Sequence, residues 1–183
     1  MNLTNQFLIA MPALQDPNFH RTVTFLCAHN EEGAMGIVIN RPLDLKLGEV
    51  LDHMSIEVLN DSVNDMTVLQ GGPVQRERGF VIHEPAGNWD AVLAVGNAIG
   101  VATSRDILTA VAKGDGPQRA VVALGYAGWG AGQLEREVQQ NAWLSGPADS
   151  SIIFDLPYEQ RYESAARLLG VDLERLSGEA GHA

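Results

Sequence analysis

Thr22-Val23-Thr24-Phe25-Leu26-Cys27-Ala28, followed after His29–Met35 by Gly36-Ile37-Val38-Ile39-Asn40, is the stretch that decides the fold class. In the first run Val23, Phe25 and Cys27 share a face, as a two-residue repeat requires of a half-buried strand. Gly33-Ala34-Met35-Gly36 turns the chain. Arg41-Pro42 ends the second run, because proline has no N–H to give to a ladder. Two such runs with a short connection predict an antiparallel pair.

The same punctuation continues on either side. Leu45 to Leu51 is expected as a short helix, with Leu47, Val50 and Leu51 apolar. Val68-Leu69-Gln70 closes a strand at the Gly71-Gly72-Pro73-Val74 turn, Gly79–His83 is a strand, and Trp89–Val95 is another by its Trp/Val/Leu content. Thr103 is expected to cap a helix that runs through Ile107, Leu108 and Val111 to Gly114, with Asp106 completing an approximate capping box. Arg119–Tyr126 is expected as a buried strand, Gln133–Leu144 as a helix and Ser151–Phe154 as the last strand. A helix Tyr158–Leu169 stops at Gly170, and Val171–Ser177 packs behind it. Strands and helices mix without a βαβ rhythm, so the expected class is α+β, not a doubly wound parallel sheet.

The 183 residues, 45% of them hydrophobic, suit one domain over 1–183,. Twelve basic residues face 23 acidic ones, for a net charge of −11. That balance excludes a strong sequence-independent nucleic-acid binder and an anchor on an anionic membrane. The stretch 44–65 is the most acidic, with Lys46 alone against Asp44, Glu49, Asp52, Glu57, Asp61 and Asp65. It reads as a solvated connection or as a patch that repels nucleic acid. The helix from Ser104 to Lys113 carries only Arg105 and Lys113, too little for a recognition helix. The start lacks a basic segment, and Phe7–Met11 is too short for a signal core. No run approaches the ~20 apolar residues of a membrane span. A cytoplasmic protein with a reduced thiol is expected.

The single cysteine, Cys27, excludes an intramolecular disulfide and every multi-cysteine metal site,. Cys27 and His29 stand two apart on a strand, the spacing of a nucleophile and its base. The apolar face that Cys27 shares with Val23 and Phe25 argues instead for a core thiol, and no orienting third member follows from the sequence. His20, His29, His53, His83 and His182 show no helical metal spacing, so no metal and no cofactor is expected. Gly125–Gly132 lies between a strand and a helix but matches neither dinucleotide nor P-loop spacing. It serves close packing, or it forms a ligand loop. Glu135 and Glu137 in the first helical turn would oppose a bound anion there. A neutral or cationic ligand stacked on Tyr126 and Trp129 is the expectation in that case. Asn40, Arg41 and Gln70 fall at strand ends, where small-molecule sites tend to sit. Arg76 and Arg78 add a basic spot, and Gln133 opens the following helix. Together with Tyr126, Trp129 and Glu135 these residues form the candidate binding surface. Trp143 is either core or the anchor of a partner interface.

Seven blocks in order carry a resemblance to a known family. They are Leu8–Pro12, Asp16-Pro17-Asn18-Phe19, Gly36–Pro42, Gly71–Val74, Thr103–Asp106, Gly125–Glu135 and Asn141–Leu144. Over essentially its whole length the chain resembles the YqgE/AlgH family of bacterial proteins. The resemblance implies a bifurcated, partly barrel-like β-sheet surrounded by helices, and a cytosolic bacterial protein. One member has been named a transcriptional regulator of alginate synthesis. The resemblance brings no catalytic residues. The expected function is a non-enzymatic regulatory or binding module, with a protein partner or a small ligand and without direct contact to DNA. The alternative is a hydrolase or transferase whose site joins Asn40, Arg41, Gln70 and Tyr126 to Glu135 as base.

Overall fold

Phe25 faces Ile37 and Thr24 faces Val38 in the antiparallel hairpin expected for Thr22–Asn40. The computed structural model describes residues 1–173 and Arg175. The elements begin with β1 (Gln6–Ala10), β2 (Val23–Asn30), β3 (Gly33–Val38), β4 (Pro42–Lys46), α1 (Leu47–His53), α2 (Asp61–Asn64) and β5 (Thr67–Gln70). β6 (Val74–Glu84), β7 (Val92–Val95), β8 (Ile99–Ala102), α3 (Arg105–Lys113), β9 (Arg119–Gly130) and α4 (Gln133–Gln139) follow. The described chain ends with β10 (Trp143–Pro147), α5 (Ser150–Phe154) and α6 (Tyr158–Leu168). The class is α+β.

The main path of the sheet is β10-β1-β2-β3-β9-β6-β8-β7, and it forks at β9. One edge of β9 carries β6, from Arg119 opposite Glu84 to Tyr126 opposite Val74. The other edge is divided. Val122–Leu124 pair in parallel with Val68–Gln70 of β5, while Ala127–Gly130 pair antiparallel with Gly36–Gly33 of β3. Gly71 holds the fork. Its N–H donates to Leu124 and its carbonyl accepts from Val38, both at 2.8 Å. β7 then returns toward β2, so the sheet curls into a partial barrel.

Alternation sorts the side chains. Ile82 and Val121 join Phe7, Phe25, Ile37 and Phe80 in the inner cluster, which α5 and α6 cover with Ile153 and Tyr162. Their neighbours Val81 and Val122 point the other way, into a second cluster under α1 and α3 with Leu51, Ile107 and Leu108. A third, with Leu8, Leu26, Trp129 and Trp143, is closed by Leu134 of α4. Each large apolar side chain buried in this way contributes about 1.5–3 kcal/mol.

Several boundaries differ from expectation. Ser151–Phe154 belongs to a helix, because the Asp149 carboxylate accepts from the Ser151 N–H (2.9 Å) and caps it, overriding the β-propensity of Ile-Ile-Phe,. The helix expected to reach Leu144 ends at Gln139. Asn141 turns left-handed (φ 62°), and Trp143 starts strand β10 opposite Ala10. Leu45 lies in β4, and the strand expected from Trp89 starts at Val92. Ser104 replaces Thr103 as the N-cap of α3. The glycine-rich run is strand as far as Gly130, not a loop. Val171 and Leu173 pack on the inner cluster, whereas 176, 177 and His182 lie outside the described residues.

Candidate functional site

The barrel does not close between β7 and the β2–β3 hairpin, and this gap is a cleft of about 840 Å³. Phe80, Val101 and Tyr126 form its floor, with Met35, Val92 and Leu93 on its walls. Two ties set the start of β7. The Ala91 N–H donates to Ser104 Oγ, and the Asp90 N–H donates to the Asp106 carboxylate. Asp106 also accepts the Ser104 hydroxyl, and this bond is the main cause of its lowered pKa. The Ser104-Arg105-Asp106 turn therefore positions the cleft wall as well as starting the helix.

Arg78 reaches the cleft because β6 leaves its ladder between Val74 and Gly79. Gln75 takes φ 48° there, and Gln75–Arg78 stand proud of the sheet. The Arg78 guanidinium donates to Gln75 Oε1 (3.2 Å) and lies 5.5 Å from the Phe80 ring centroid. Tyr126 meets that ring edge-on at 5.7 Å.

Of the candidate surface, the structure brings Arg78, Tyr126 and Trp129 to the cleft, and Arg76 stands exposed on the same excursion. The others engage elsewhere. Asn40 ties the chain ends of the hairpin, its Nδ2 donating to the Arg21 carbonyl and its Oδ1 accepting the Val23 N–H, both at 2.9 Å. Arg41 donates to the carbonyls of Pro17, Asn18 and His20, which fixes the 17–20 segment, and partial burial lowers its pKa. Gln70 sits at the fork, opposite Leu124. Gln133 bridges the Gly130 N–H and Glu137. Glu137 in turn accepts the indole N–H groups of Trp129 (3.2 Å) and Trp143 (2.9 Å), so both rings are held internally, with Phe19 stacked on Trp129. Trp143 is 3% exposed, a core residue.

With this geometry in place, a protein-family model described as AlgH-like matches residues 7–174. The chain belongs to the AlgH-like family. A UPF0301 protein of Nitrosococcus oceani is 59% identical over 179 residues, covering 98% of this chain and 96% of that protein. One from Xanthomonas campestris is 54% identical over 181 residues, covering 99% and 96%. The solution structure of the AlgH protein from Pseudomonas aeruginosa is 49% identical, with a TM-score of 0.83, over 100% of this chain and 97% of that one. A crystal structure from Corynebacterium diphtheriae, 19% identical, shares the fold with a TM-score of 0.75 over 96% and 91%.

In this AlgH-like chain Cys27 and His29 do not share a face. Leu26 pairs with Gly36 and Ala28 with Met35, so Cys27 is the extra residue of a β-bulge,. The bulge shifts the alternation by one. Cys27 points into the inner cluster, where burial pushes its thiol up to about 12. His29 points to the other side, between Leu3 and α4. Its Nδ1 accepts the Leu3 N–H (3.0 Å), so Nε2 carries the proton and donates to Glu135 Oε1 (2.6 Å). Both ring nitrogens are engaged, and the bond holds the Glu135 carboxyl below its ordinary value of 4.5.

A depressed carboxylate stabilises the fold above its unfolded pKa, and that contribution is lost as pH falls through the folded value. Wild type is therefore expected to lose stability from about pH 4.5 downward. Glu135→Gln should show a shallower loss between neutral and acid pH in urea titrations. Equal losses in both proteins would mean that the pair contributes nothing.

Among the described residues no three His, Cys, Asp or Glu side chains gather as a metal set, and no helix is long and apolar enough to cross a membrane. The cleft walls Met35, Val92 and Leu93 were missed by a search for polar motifs. The signal for Val92 and Leu93 was Ala91-Val92-Leu93-Ala94-Val95, a stretch without the charged or proline residues that usually guard an edge,.

Proposed function

We propose that this chain is a non-enzymatic binding module that takes an extended segment of a partner protein along β7. The observation that carries the reading is the unpaired edge of β7 beside an apolar cleft. Among the described residues β7 is the last strand on the sheet path and pairs only with β8. Val92 and Leu93 are 37% and 42% exposed. A strand added to such an edge gains main-chain hydrogen bonds, and alternate side chains enter the neighbouring cleft.

Catalysis is supported less well. Glu135, the base of the enzymatic alternative, is bonded to His29, while Asn40 and Arg41 hold the 17–23 segment and Tyr126 packs on Phe80. In this reading any influence on transcription runs through protein contact, in keeping with the −11 charge. The unpaired cysteine suits a cytoplasmic setting,.

Leu93→Lys tests the reading, since an exposed substitution should move stability by no more than about 0.5 kcal/mol. Wild type on a resin is expected to retain a reproducible set of proteins from native lysate, and Leu93→Lys to lose it. Retention by both, or by neither, would overturn the assignment of β7.

A further inference from the structure

A second cavity, of about 500 Å³, lies on the opposite, helix-covered face of β6 and β9, between α1 and α3. Its walls are apolar, chiefly Leu45, Val50, Met54, Leu108 and Leu124. The size is that of a small-molecule site. Gly79 explains the hollow. A Cβ built there would meet nothing nearer than Leu124 Cδ2 at 4.0 Å, so the strand leaves space unfilled above it.

Arg105 and Arg78 are among the residues that line the cavity, the latter at the border with the β7 cleft, where its guanidinium lies over Phe80. Arg105 has one hydrogen bond, to the Ser55 carbonyl at 3.4 Å, and Arg78 has one, to Gln75. Neither is among the ion pairs of the described residues, although the chain carries 23 carboxylates. Two carboxylates also line it: Glu49, which accepts the Lys46 N–H at 2.9 Å and caps α1 with one of its oxygens, and Glu77, which is free of such a bond and is the less constrained of the two opposing charges. His53 completes the rim.

We propose that this cavity binds an amphipathic carboxylate, with its aliphatic body on the apolar walls and its head between Arg78 and Arg105. A planar carboxylate matches the donor fork of a guanidinium, and such charge-assisted bonds are strong where water is partly excluded. The cavity shares Arg78 and Thr103 with the β7 cleft, but Arg105 and the apolar walls belong to it alone and Val92 and Leu93 to the cleft alone, so either assignment can fail without the other.

Decanoate is the probe, with decyltrimethylammonium and 1-decanol as cationic and neutral controls of equal chain length. Calorimetry is expected to show saturable 1:1 binding of decanoate, and the two controls should bind at least about tenfold more weakly. Amide shifts in NMR spectra should concentrate on Leu45–Met54 and Thr103–Leu108 and leave Val92–Val95 unmoved. Arg105→Gln should weaken decanoate about tenfold, while Glu77→Gln should tighten it by removing an opposing charge. A Cβ at position 79 meets no backbone within 4 Å, so Gly79→Val should project into the cavity and abolish binding while the protein still folds, as its urea unfolding should show. Absence of saturable binding, equal affinity for the cationic or neutral control, unchanged affinity in Gly79→Val, or shifts centred on β7 would each overturn the proposal.

Discussion

Gly72→Ala is expected to prevent folding or to destabilise the protein by more than about 3 kcal/mol, above the usual range for an overpacked site. A Cβ on Gly72 would lie 2.1 Å from the Tyr126 carbonyl carbon, 2.2 Å from its oxygen and 2.5 Å from the Ala127 nitrogen. These are backbone atoms of the central strand, and no rotamer change moves them. β9 cannot retreat either, because β6 holds its other edge. Gly71 and Gly125 interlock in the same way, with a Cβ on Gly71 falling 2.3 Å from the Gly125 carbonyl oxygen. Gly128→Ala is the control. Its Cβ would sit 3.4 Å from the Tyr126 ring, an ordinary contact, and the variant should fold. Urea unfolding of both variants decides the matter. A Gly72→Ala protein within about 1 kcal/mol of wild type would show that the fork tolerates a wider crossing, against the usual stiffness of a packed interior.

Arg161→Met is expected to destabilise by roughly 3 kcal/mol. Arg161 is 2% exposed. It donates from one terminal nitrogen to the Ile39 carbonyl (2.7 Å) and from Nε to the Leu156 carbonyl (3.1 Å). The guanidinium lies 4.5 Å from the Tyr158 ring centroid, and burial lowers its pKa. Two effects oppose each other. Methionine spares the fold a buried cation, which alone would favour the variant. It also strands two carbonyls, each worth about 1–3 kcal/mol when left unpaired. The carbonyls win, because Ile39 ends the central hairpin and α6 is docked through this contact. Arg161→Lys keeps the charge but not the fork of donors, and should fall between. Chemical denaturation of the three proteins orders them. Arg161→Met as stable as wild type would mean that the desolvation of the cation equals the value of its bonds.

The hairpin of Thr22–Asn40, the buried strand at Arg119 and the helices near Ser104 and Tyr158 were legible because each depends on local alternation or a local stop. The candidate surface was legible only in part. Arg78, Tyr126 and Trp129 do meet at one cleft, but Asn40, Arg41 and Glu135 bond to groups that no local pattern announces. Arg41, for example, serves three carbonyls more than twenty residues away.

By itself, then, the sequence determined which residues seek burial, where the chain must turn, and a net charge of −11. These follow from side-chain chemistry and from the two-residue and 3.6-residue repeats. Only the tertiary structure decided that β9 serves two partners on one edge, that a bulge at Cys27 turns His29 toward Glu135, and that β7 stops short of the hairpin. Strand register, bulges and gaps are settled by contacts between distant segments, and hydrophobic periodicity states that a face is to be covered without stating by what.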